Sequence, residues 1–448
     1  MRLLGYASIG AAIALVLSGC SAVRPEGRFI CAHDSDCPAT MRCYGVRCFT
    51  LPPDAGLEAS VDSATIDSAT IDAAMPTMLP SIPLDLTAFM ATGGNGIGSS
   101  VAISGDGTHA AVAVVHTGSA AGPSEVVVFV RAAATWTEEA RLFASSSTPC
   151  GSVGGLAFDR SASRLVVGCI EAGNMGGARS FDRVGSSWSE GPSLEASGAL
   201  AGDGWGVGAI SGDGSRVVLA SANAVRAGVQ TGGARVLVRG ASAWTEEADL
   251  LPAGAAQNDR FGCATSISLD GTRIAVGAFG EATTAGGTGN VHVFVRASSW
   301  TEEASLLDAT NGDIHASYGA SVAMSTDGSR IVVLALGSLP MLSFARGASW
   351  TAEMPFPGAW STAVAIDGNG ERALLGTTSR TVHVLGRASG NWWVTSLIDP
   401  PTGTAADGLS GPLDVSDDGK FAVIGDPNYI EPGSGGSYAG RAVVVALP

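Results

Sequence analysis

The chain has 448 residues, with 25 basic and 41 acidic side chains, a formal charge of −16 and a single lysine, Lys420. So acidic a chain repels phosphate backbones, which argues against nucleic acid as a partner and favours a soluble, monomeric folded part. Its length exceeds one ordinary core, so internal repetition is sought first.

The chain opens MRLLGYASIGAAIALVLSGC. One arginine, an apolar run from Leu3 to Leu17 and the small pair Ser18-Gly19 predict a secretory signal over residues 1–19. The run falls short of the roughly 20 residues that a spanning helix needs. LSGC at Leu17 to Cys20 resembles the bacterial lipobox. That resemblance implies cleavage before Cys20 and acylation of its thiol by palmitate-type chains. At about 0.8 kcal/mol per buried CH2, several chains hold a protein on a membrane. Ser21 favours the outer membrane, by analogy with Gram-negative sorting.

Residues 20–50 form a lipidated N-terminus and a cysteine-rich segment with Cys31, Cys37, Cys43 and Cys48. So short an exported segment lacks an adequate core, so two disulfides are expected, in any of three pairings. The absence of C-x2-C spacing argues against zinc. His33, Asp34 and Asp36 read as solvated loop. Residues 51–80 carry DSATI twice, at Asp62 and Asp67, and no aromatic or basic residue. They read as a disordered linker with a reach on the order of 30 Å.

From Ser81 to Pro448 one plan recurs, most clearly at Phe261 to Ala309. Ala264 to Ser268 is a short strand, and Asp270-Gly271 is a hairpin signal predicting φ > 0 at both central residues. Arg273 to Ala278 is a second strand, and Gly-rich Thr284 to Gly289 loops to a third at Val291 to Arg296. Trp300 to Leu307 (WTEEASLL) is an outer strand half in water. The turn position recurs at Asp106, Ser161, Asp213, Asp270, Asp327, Asn369 and Asp418, a mean interval of 52 residues. Third strands end at Arg131, Arg183, Arg239, Arg296, Arg346 and Arg387. Each is followed four or five residues later by a tryptophan: Trp136, Trp188, Trp244, Trp300, Trp350 and Trp392. The last unit ends with GRAVVVAL at Gly440 to Leu447 and lacks a fourth strand, which Pro83 to Phe89 is predicted to supply. The expectation is all-β: a seven-bladed β-propeller of four-stranded antiparallel blades over residues 81–448.

The Phe-Gly start, the S-x-D-G turn, the AVGA-like strand and the closing VxVFxR…WTEE resemble the bacterial FG-GAP repeat, related in plan to the integrin α-subunit propeller. The resemblance implies a cell-surface propeller used for binding. Integrin-type blades often carry a D-x-D-x-D-G calcium loop, whereas the turns here read SGDG, SLDG and STDG. DGNGE at Asp367 to Glu371 and DVSDDG at Asp414 to Gly419 come nearest without the alternating carboxylates that calcium wants. No metal or cofactor is expected.

Candidate sites are few. His33, His109, His116, His292, His315 and His383 lack metal spacing, and no G-x-S-x-G elbow occurs, so no catalytic residue is assigned. GDGWGVG at Gly202 to Gly208 precedes no helix, which argues against a phosphate cradle. The recurring Arg and Trp-Thr-Glu-Glu residues read as scaffold. Arg296 is expected to pair with Glu302 or Glu303 across its own hairpin, with Trp300 packed between blades. Packing solutions repeat, whereas a ligand site breaks symmetry. The irregular connections Val115 to Glu125, Ala222 to Gly233 and Asn428 to Tyr438 are therefore the places for a site. Cys150 and Cys169 are a disulfide candidate pair, and Cys263 reads as a small buried residue.

The functional expectation is a cell-envelope lipoprotein, held by its N-terminal lipid, displaying a non-catalytic propeller to an unknown protein or glycan. The alternatives are an extracytoplasmic polysaccharide-acting enzyme, with its site at one mouth, and a structural docking protein.

Overall fold

The computed structural model describes residues 41–44, 47–50, 77–79, 81–84 and 96–448, except 117–123, 144–149, 151, 171–174, 283–287, 307–316, 336–340, 354, 357–360, 378–380, 399–410 and 431–439. Two compact units divide at residue 59. In the first, Met41–Tyr44 and Arg47–Thr50 pair as an antiparallel hairpin with Cys43 opposite Cys48. Cys20, Cys31 and Cys37 lie outside the described residues.

In the second unit every described element of regular structure is a strand, and the recurring arrangement is a four-stranded antiparallel sheet. The first sheet runs Gly96–Ile103, His109–Val115, Glu125–Ala132, Thr135–Phe143. The second runs Ser152–Phe158, Arg164–Ile170, Gly177–Val184, Ser187–Leu194, and the third Gly206–Ile210, Arg216–Ser221, Gly233–Arg239, Trp244–Leu250. The fourth (Phe261–Ile267, Arg273–Ala282, Thr288–Arg296, Trp300–Ser305) touches the fifth (Tyr318–Met324, Arg330–Ala335, Leu342–Arg346, Trp350–Ala352) through a parallel bridge from Gly289 to Tyr318. The sixth is Ser361–Ile366, Arg372–Thr377, Val382–Ala388, Asn391–Ile398.

The last sheet has three strands from the chain's end, Leu413–Val415, Phe421–Asp426 and Arg441–Ala446, and takes its fourth from Ser81–Pro83. Pro83, Ile82 and Ser81 pair antiparallel with Val443, Val444 and Val445, and Leu84 N–H donates to Ala442 O at 3.0 Å. The pairing thus begins two residues before the predicted closing segment. A second difference lies upstream: Thr77–Leu79, within the stretch read as linker, pairs in parallel with Asn391–Ile398. That outer strand, NWWVTSLI, has lost the Glu-Glu pair of its relatives, and its more apolar edge is covered instead of left in water.

Second strands are buried almost throughout, as in HAAVAVV and RIAVGAF, while outer strands such as Trp300–Ser305 are half exposed. The core lies between consecutive sheets. Phe261, Ile274 and Phe294 of the fourth sheet pack with Val218 and Val236 of the third, and Val112 and Phe129 of the first with Val423 and Val444 of the last. Glycine enforces this closeness. A Cβ on Gly277 would sit 2.0 Å from Gly319 O, and Gly319 itself has φ +87°. These are the glycines of Gly277-Ala278 and Tyr318-Gly319, the Gly-Ala and aromatic-Gly elements of adjacent repeats, so part of the motif exists to let two backbones touch.

The turns between first and second strands are tied to one another. Gly212 N–H donates to Leu269 O, Leu269 to Thr326, Thr326 to Gly368, Gly368 to Asp417 and Asp417 to Gly105; Asp106 N–H then donates to Arg160 O and Arg160 to Gly212, all at 2.8–3.1 Å. The path returns to its start.

Candidate functional site

The Asp-Gly turns differ from the sequence expectation. Gly271 has φ 66°, but Asp270 is not in the left-handed region. Gly271 N–H donates to Ser268 O at 2.9 Å, so Ser268 opens the turn and Gly271 closes it, the serine-to-glycine order of a type I turn. The side chains explain the choice. Ser268 Oγ donates to Asp270 Oδ1 at 2.6 Å and accepts from Arg273 N at 2.9 Å, while Asp270 Oδ1 accepts from Thr272 N at 2.9 Å. Ser104, Ser211, Ser325 and Ser416 repeat the hydroxyl-to-Asp bond at 2.6–2.8 Å. Burial works to raise the Asp270 carboxyl, but the bonds from Ser268 and Thr272 outweigh it and hold it below its ordinary value. These carboxylates serve their own turns.

The second glutamate of the Trp-Thr-Glu-Glu string is the hub of a clamp between sheets. Glu247 accepts from Arg216 Nε of its own sheet at 3.0 Å, and from Arg296 Nε at 2.9 Å and Trp300 Nε1 at 3.0 Å of the next. Glu303 does the same with Arg273 at 2.8 Å, Arg346 at 2.9 Å and Trp350 at 3.1 Å. Glu139 takes Arg183 at 2.8 Å and Trp188 at 2.9 Å, with His109 in place of the first arginine at 3.5 Å. Glu353 pairs with Arg330 and Arg387. Arg296 therefore bonds to the preceding sheet, not across its own hairpin to Glu302 or Glu303 as the sequence suggested. The string runs along the outer edge of one sheet, where its second glutamate meets the third strand of the neighbour.

Where the hub is missing, substitutes appear. Gly191 holds that place in the second sheet, and Asp182 of the adjacent strand receives Arg164 at 2.7 Å and Arg239 at 2.7 Å instead. At the seam of the first and last sheets, the Arg131 guanidinium lies 4.2 Å over the Phe421 ring.

His292 and His383 occupy the same place in their third strands with opposite surroundings. His292 Nε2 lies 2.6 Å from Glu281 Oε2 and Nδ1 2.8 Å from Glu302 Oε1. Burial opposes its charge, but the two carboxylates prevail and hold it above its ordinary value. His383 has no carboxylate beside it among the described residues, and burial pushes it down to about 4. Cys263 is partly buried, with Sγ 3.3 Å from Gly319 O, and burial lifts its thiol to about 11. Cys150 and Cys169 form a disulfide.

First strands of all the sheets surround a channel of about 320 Å³. Many of its lining residues are aliphatic, but the surface they present to it is mostly polar, and its charged members are Arg160, Asp414 and Asp417.

At the opposite end of the strands lie the connections from second to third strand and from sheet to sheet. The predicted loop Ala222 to Gly233 carries a small hairpin, Val225–Arg226 with Val229–Gln230, and Arg226 and Arg235 lie 5.5 and 5.3 Å from the Trp205 ring centre. Most of the loop Val115 to Glu125 and the end of Asn428 to Tyr438 fall outside the described residues. Of the large apolar side chains exposed among the described residues, Met175 at 52%, Leu200 at 51%, Val229 at 39% and Leu251 at 38% lie on these connections, while Phe143 at 49% ends an outer strand and Val184 at 80% lies at the other end of its sheet. The sequence reading missed Asp203 and Asp259. Asp203 accepts from Leu200 N at 2.9 Å and Val225 N at 3.1 Å, and Asp259 from Ala256 N at 2.5 Å. Both precede an aromatic-Gly pair by two residues, a signal present in the sequence.

This is an all-β protein of four-stranded antiparallel sheets whose likeness among solved structures is to β-propellers. A chain of the mitotic checkpoint complex crystal structure is 14% identical, with a TM-score of 0.54, over 88% of this chain and 97% of that one. A protein from Lactobacillus plantarum is also 14% identical, with a TM-score of 0.49, over 68% of this chain and 85% of that one. At 14% identity the likeness to the checkpoint-complex chain is one of fold alone. Residues 244–294 match the family described as FG-GAP repeat. The matched stretch begins at Trp244, an outer strand, and so includes Glu247 along with the Phe261-Gly262 and Asp270-Gly271 elements of the next sheet. No curated protein matches the chain.

Proposed function

We propose that this chain is a cell-envelope lipoprotein, anchored through acylated Cys20 in the outer membrane, that displays a seven-bladed, non-catalytic propeller for recognition of a protein or glycan. The cycle of turn hydrogen bonds supports the blade count, since it passes through seven turns before closing. The last sheet supports ring closure by borrowing its fourth strand from Ser81–Pro83.

The observation that carries the binding reading is a division of labour between the two ends of the strands. The repeated Arg, Trp and Glu side chains are consumed by contacts between sheets. The connections at the opposite end vary from blade to blade and expose Met175, Leu200, Val229 and Leu251 on neighbouring elements. Exposed apolar side chains on variable connections are where an interaction surface is to be sought.

The test pairs the full chain with a variant carrying Met175→Ser, Leu200→Ser, Val229→Ser and Leu251→Ser, offered to solubilised envelope proteins and a glycan panel. Specific capture by the parent and its loss in the variant are expected, whereas equal capture by both overturns the assignment of this face. For the anchor, Cys20→Ala is expected to move the protein into the soluble fraction. Retention on membranes removes the lipoprotein reading.

A further inference from the structure

Four residues before the closing arginine of successive third strands stand Val127, Arg179, Arg235, His292, Leu342 and His383. Two residues after each repeated tryptophan stand Glu138, Glu190, Glu246, Glu302, Ala352 and Val394. The two positions meet within a sheet. Arg179 Nε lies 3.8 Å from Glu190 Oε1, Arg235 Nη1 2.7 Å from Glu246 Oε1, and His292 Nδ1 2.8 Å from Glu302 Oε1. Where the acid gives way to Ala352 or Val394, the third strand carries no charge: Leu342 in one, and in the other His383, which burial pushes down to about 4. Glu138 of the first sheet, matched with Val127, takes Arg141 instead. Among the described residues, the fourth sheet is thus where the cation of this recurring pair can lose its charge.

His292 also holds a second carboxylate. Its Nε2 lies 2.6 Å from Glu281 Oε2, near the end of the second strand Arg273–Ala282. A neutral imidazole offers one N–H and one lone pair, so two accepting carboxylates require the imidazolium. Burial works to raise the Glu281 carboxyl, but the bonds from His292 and Asn290 hold it below its ordinary value, and it is an anion. Asn290 Nδ2 donates to Glu281 Oε1 at 3.0 Å and to Ser305 Oγ at 2.8 Å, and stands 3.3 Å from His292 Nε2. The other neighbours bring no cation to the ring. Phe261 meets the imidazole edge to face, ring centres 5.8 Å apart, and Arg260, packed beside Gly280, gives its guanidinium to Asn223. Asp259, on the connection before the first strand, is coupled to the cluster and is repelled by Glu281.

We propose that His292 is a pH-sensitive latch, whose Nε2 proton holds Glu281 and the end of the second strand in place and whose loss to solvent releases them. Without that proton, Nε2 turns a lone pair toward Glu281 Oε2 and accepts from Asn290 Nδ2, which then leaves Glu281 Oε1. Glu281 loses both donors and faces Asp259 unopposed, while Glu302 keeps its bond from Nδ1–H. The released segment, Phe279 to Ala282, is tied to the neighbouring connection by Gly280 N–H, which donates to Asp259 O at 2.9 Å. The latch rests on no assumption about what those connections bind. Burial opposes the charge on His292 but the two carboxylates prevail, so release comes as pH climbs above 6.5.

The experiment is amide hydrogen exchange of the full chain at pH 6 and pH 9, each rate divided by the intrinsic rate of an unprotected amide, with the second strand Arg216–Ser221 of the third sheet as internal reference. In the parent, protection of Phe279 to Ala282 is expected to fall about tenfold or more relative to the reference between the two pH values. His292→Arg, which copies Arg179 and Arg235, keeps its charge and should stay protected at both. His292→Gln carries no charge and should show the low protection at both. Should arginine not be accommodated, Glu281→Gln, equal in shape, should likewise abolish the pH dependence. Protection in the parent that does not change with pH, or a fall of the same size in folded His292→Arg or Glu281→Gln, overturns the proposal.

Discussion

Arg296 Nη2 lies 2.8 Å from Glu247 Oε1, a carboxylate of the sheet before its own. The contact makes Glu247 a joint between two sheets rather than a surface charge, since its side chain is only 18% exposed. Burial alone would raise that carboxyl, but hydrogen bonds from Arg216, Trp300 and Arg296 overcome it and bring it down to about 2. A carboxylate with a depressed folded pKa contributes stability above its unfolded value, near 4.5, and that contribution drains away as pH falls toward 2. Glu247→Gln is expected to cost about 2–3 kcal/mol in urea unfolding at pH 7. The gap between parent and variant should narrow steadily from pH 5 downward. Parallel stability curves would show that the clamp contributes nothing through charge.

His292 and His383 give a second test, because identical VHV contexts have opposite titration behaviour. His292, raised by Glu281 and Glu302, contributes stability that is full below the unfolded value of 6.5 and lost as pH climbs through its folded value. His383, lowered by burial, acts in the other sense: between about 4 and 6.5 the unfolded chain holds the proton, so stability drops as pH falls through that window. Proton NMR of the imidazoles should place one titration above 6.5 and one well below it. His292→Gln should remove the first and His383→Gln the second. Two titrations near 6.5 would contradict the arrangement.

The contrast also shows what a single chain can reveal about itself. The strands were legible because their apolar runs recur at a fixed interval, and the outer strands because their acids sit beside a repeated tryptophan. The partner of Arg296 was not legible. A repeat of period 52 offers the same glutamate pair in its own unit and in the one before, and only the pleat and twist of adjacent sheets decide between them. The turn was found but its conformation was misjudged, because Ser268, two residues ahead of the aspartate, supplies the bonds that favour a type I geometry. Asp414 appeared in the sequence as part of a failed calcium loop. Its place across the seam from Ile103, at a position that is alanine or serine in the other first strands, required the register of all the first strands.

The disulfide between Cys150 and Cys169 spans a separation of 19 residues within the second sheet's region. Closing a loop of that size stabilises a fold by about 3 kcal/mol, chiefly by restricting the unfolded chain. Reduction, or Cys150→Ser with Cys169→Ser, should lower the unfolding midpoint accordingly without altering the β signature in circular dichroism. An unchanged midpoint would show that the sheets on either side already hold this segment.

The strand Ser81–Pro83 covers Val443, Val444 and Val445. Without it the strand Arg441–Ala446, whose first five residues are buried, becomes an open, flat, apolar edge, the kind that pairs with other chains. Deleting residues 81–84 is therefore expected to do two things. The melting temperature should fall by several degrees, as befits the loss of a few kcal/mol from a domain of this size. The protein should also associate, eluting in size exclusion as larger species than the parent at the same concentration. The seam lacks the Arg-Glu-Trp clamp seen at Glu247 and Glu303 and has Arg131 stacked over Phe421 in its place, so it should open before those two. Hydrogen exchange of the parent can check this directly: amides of Arg441–Ala446 should exchange faster than those of Thr288–Arg296, the equivalent strand in a fully clamped sheet. The reverse order would mean that the borrowed strand closes its sheet as firmly as a continuous one.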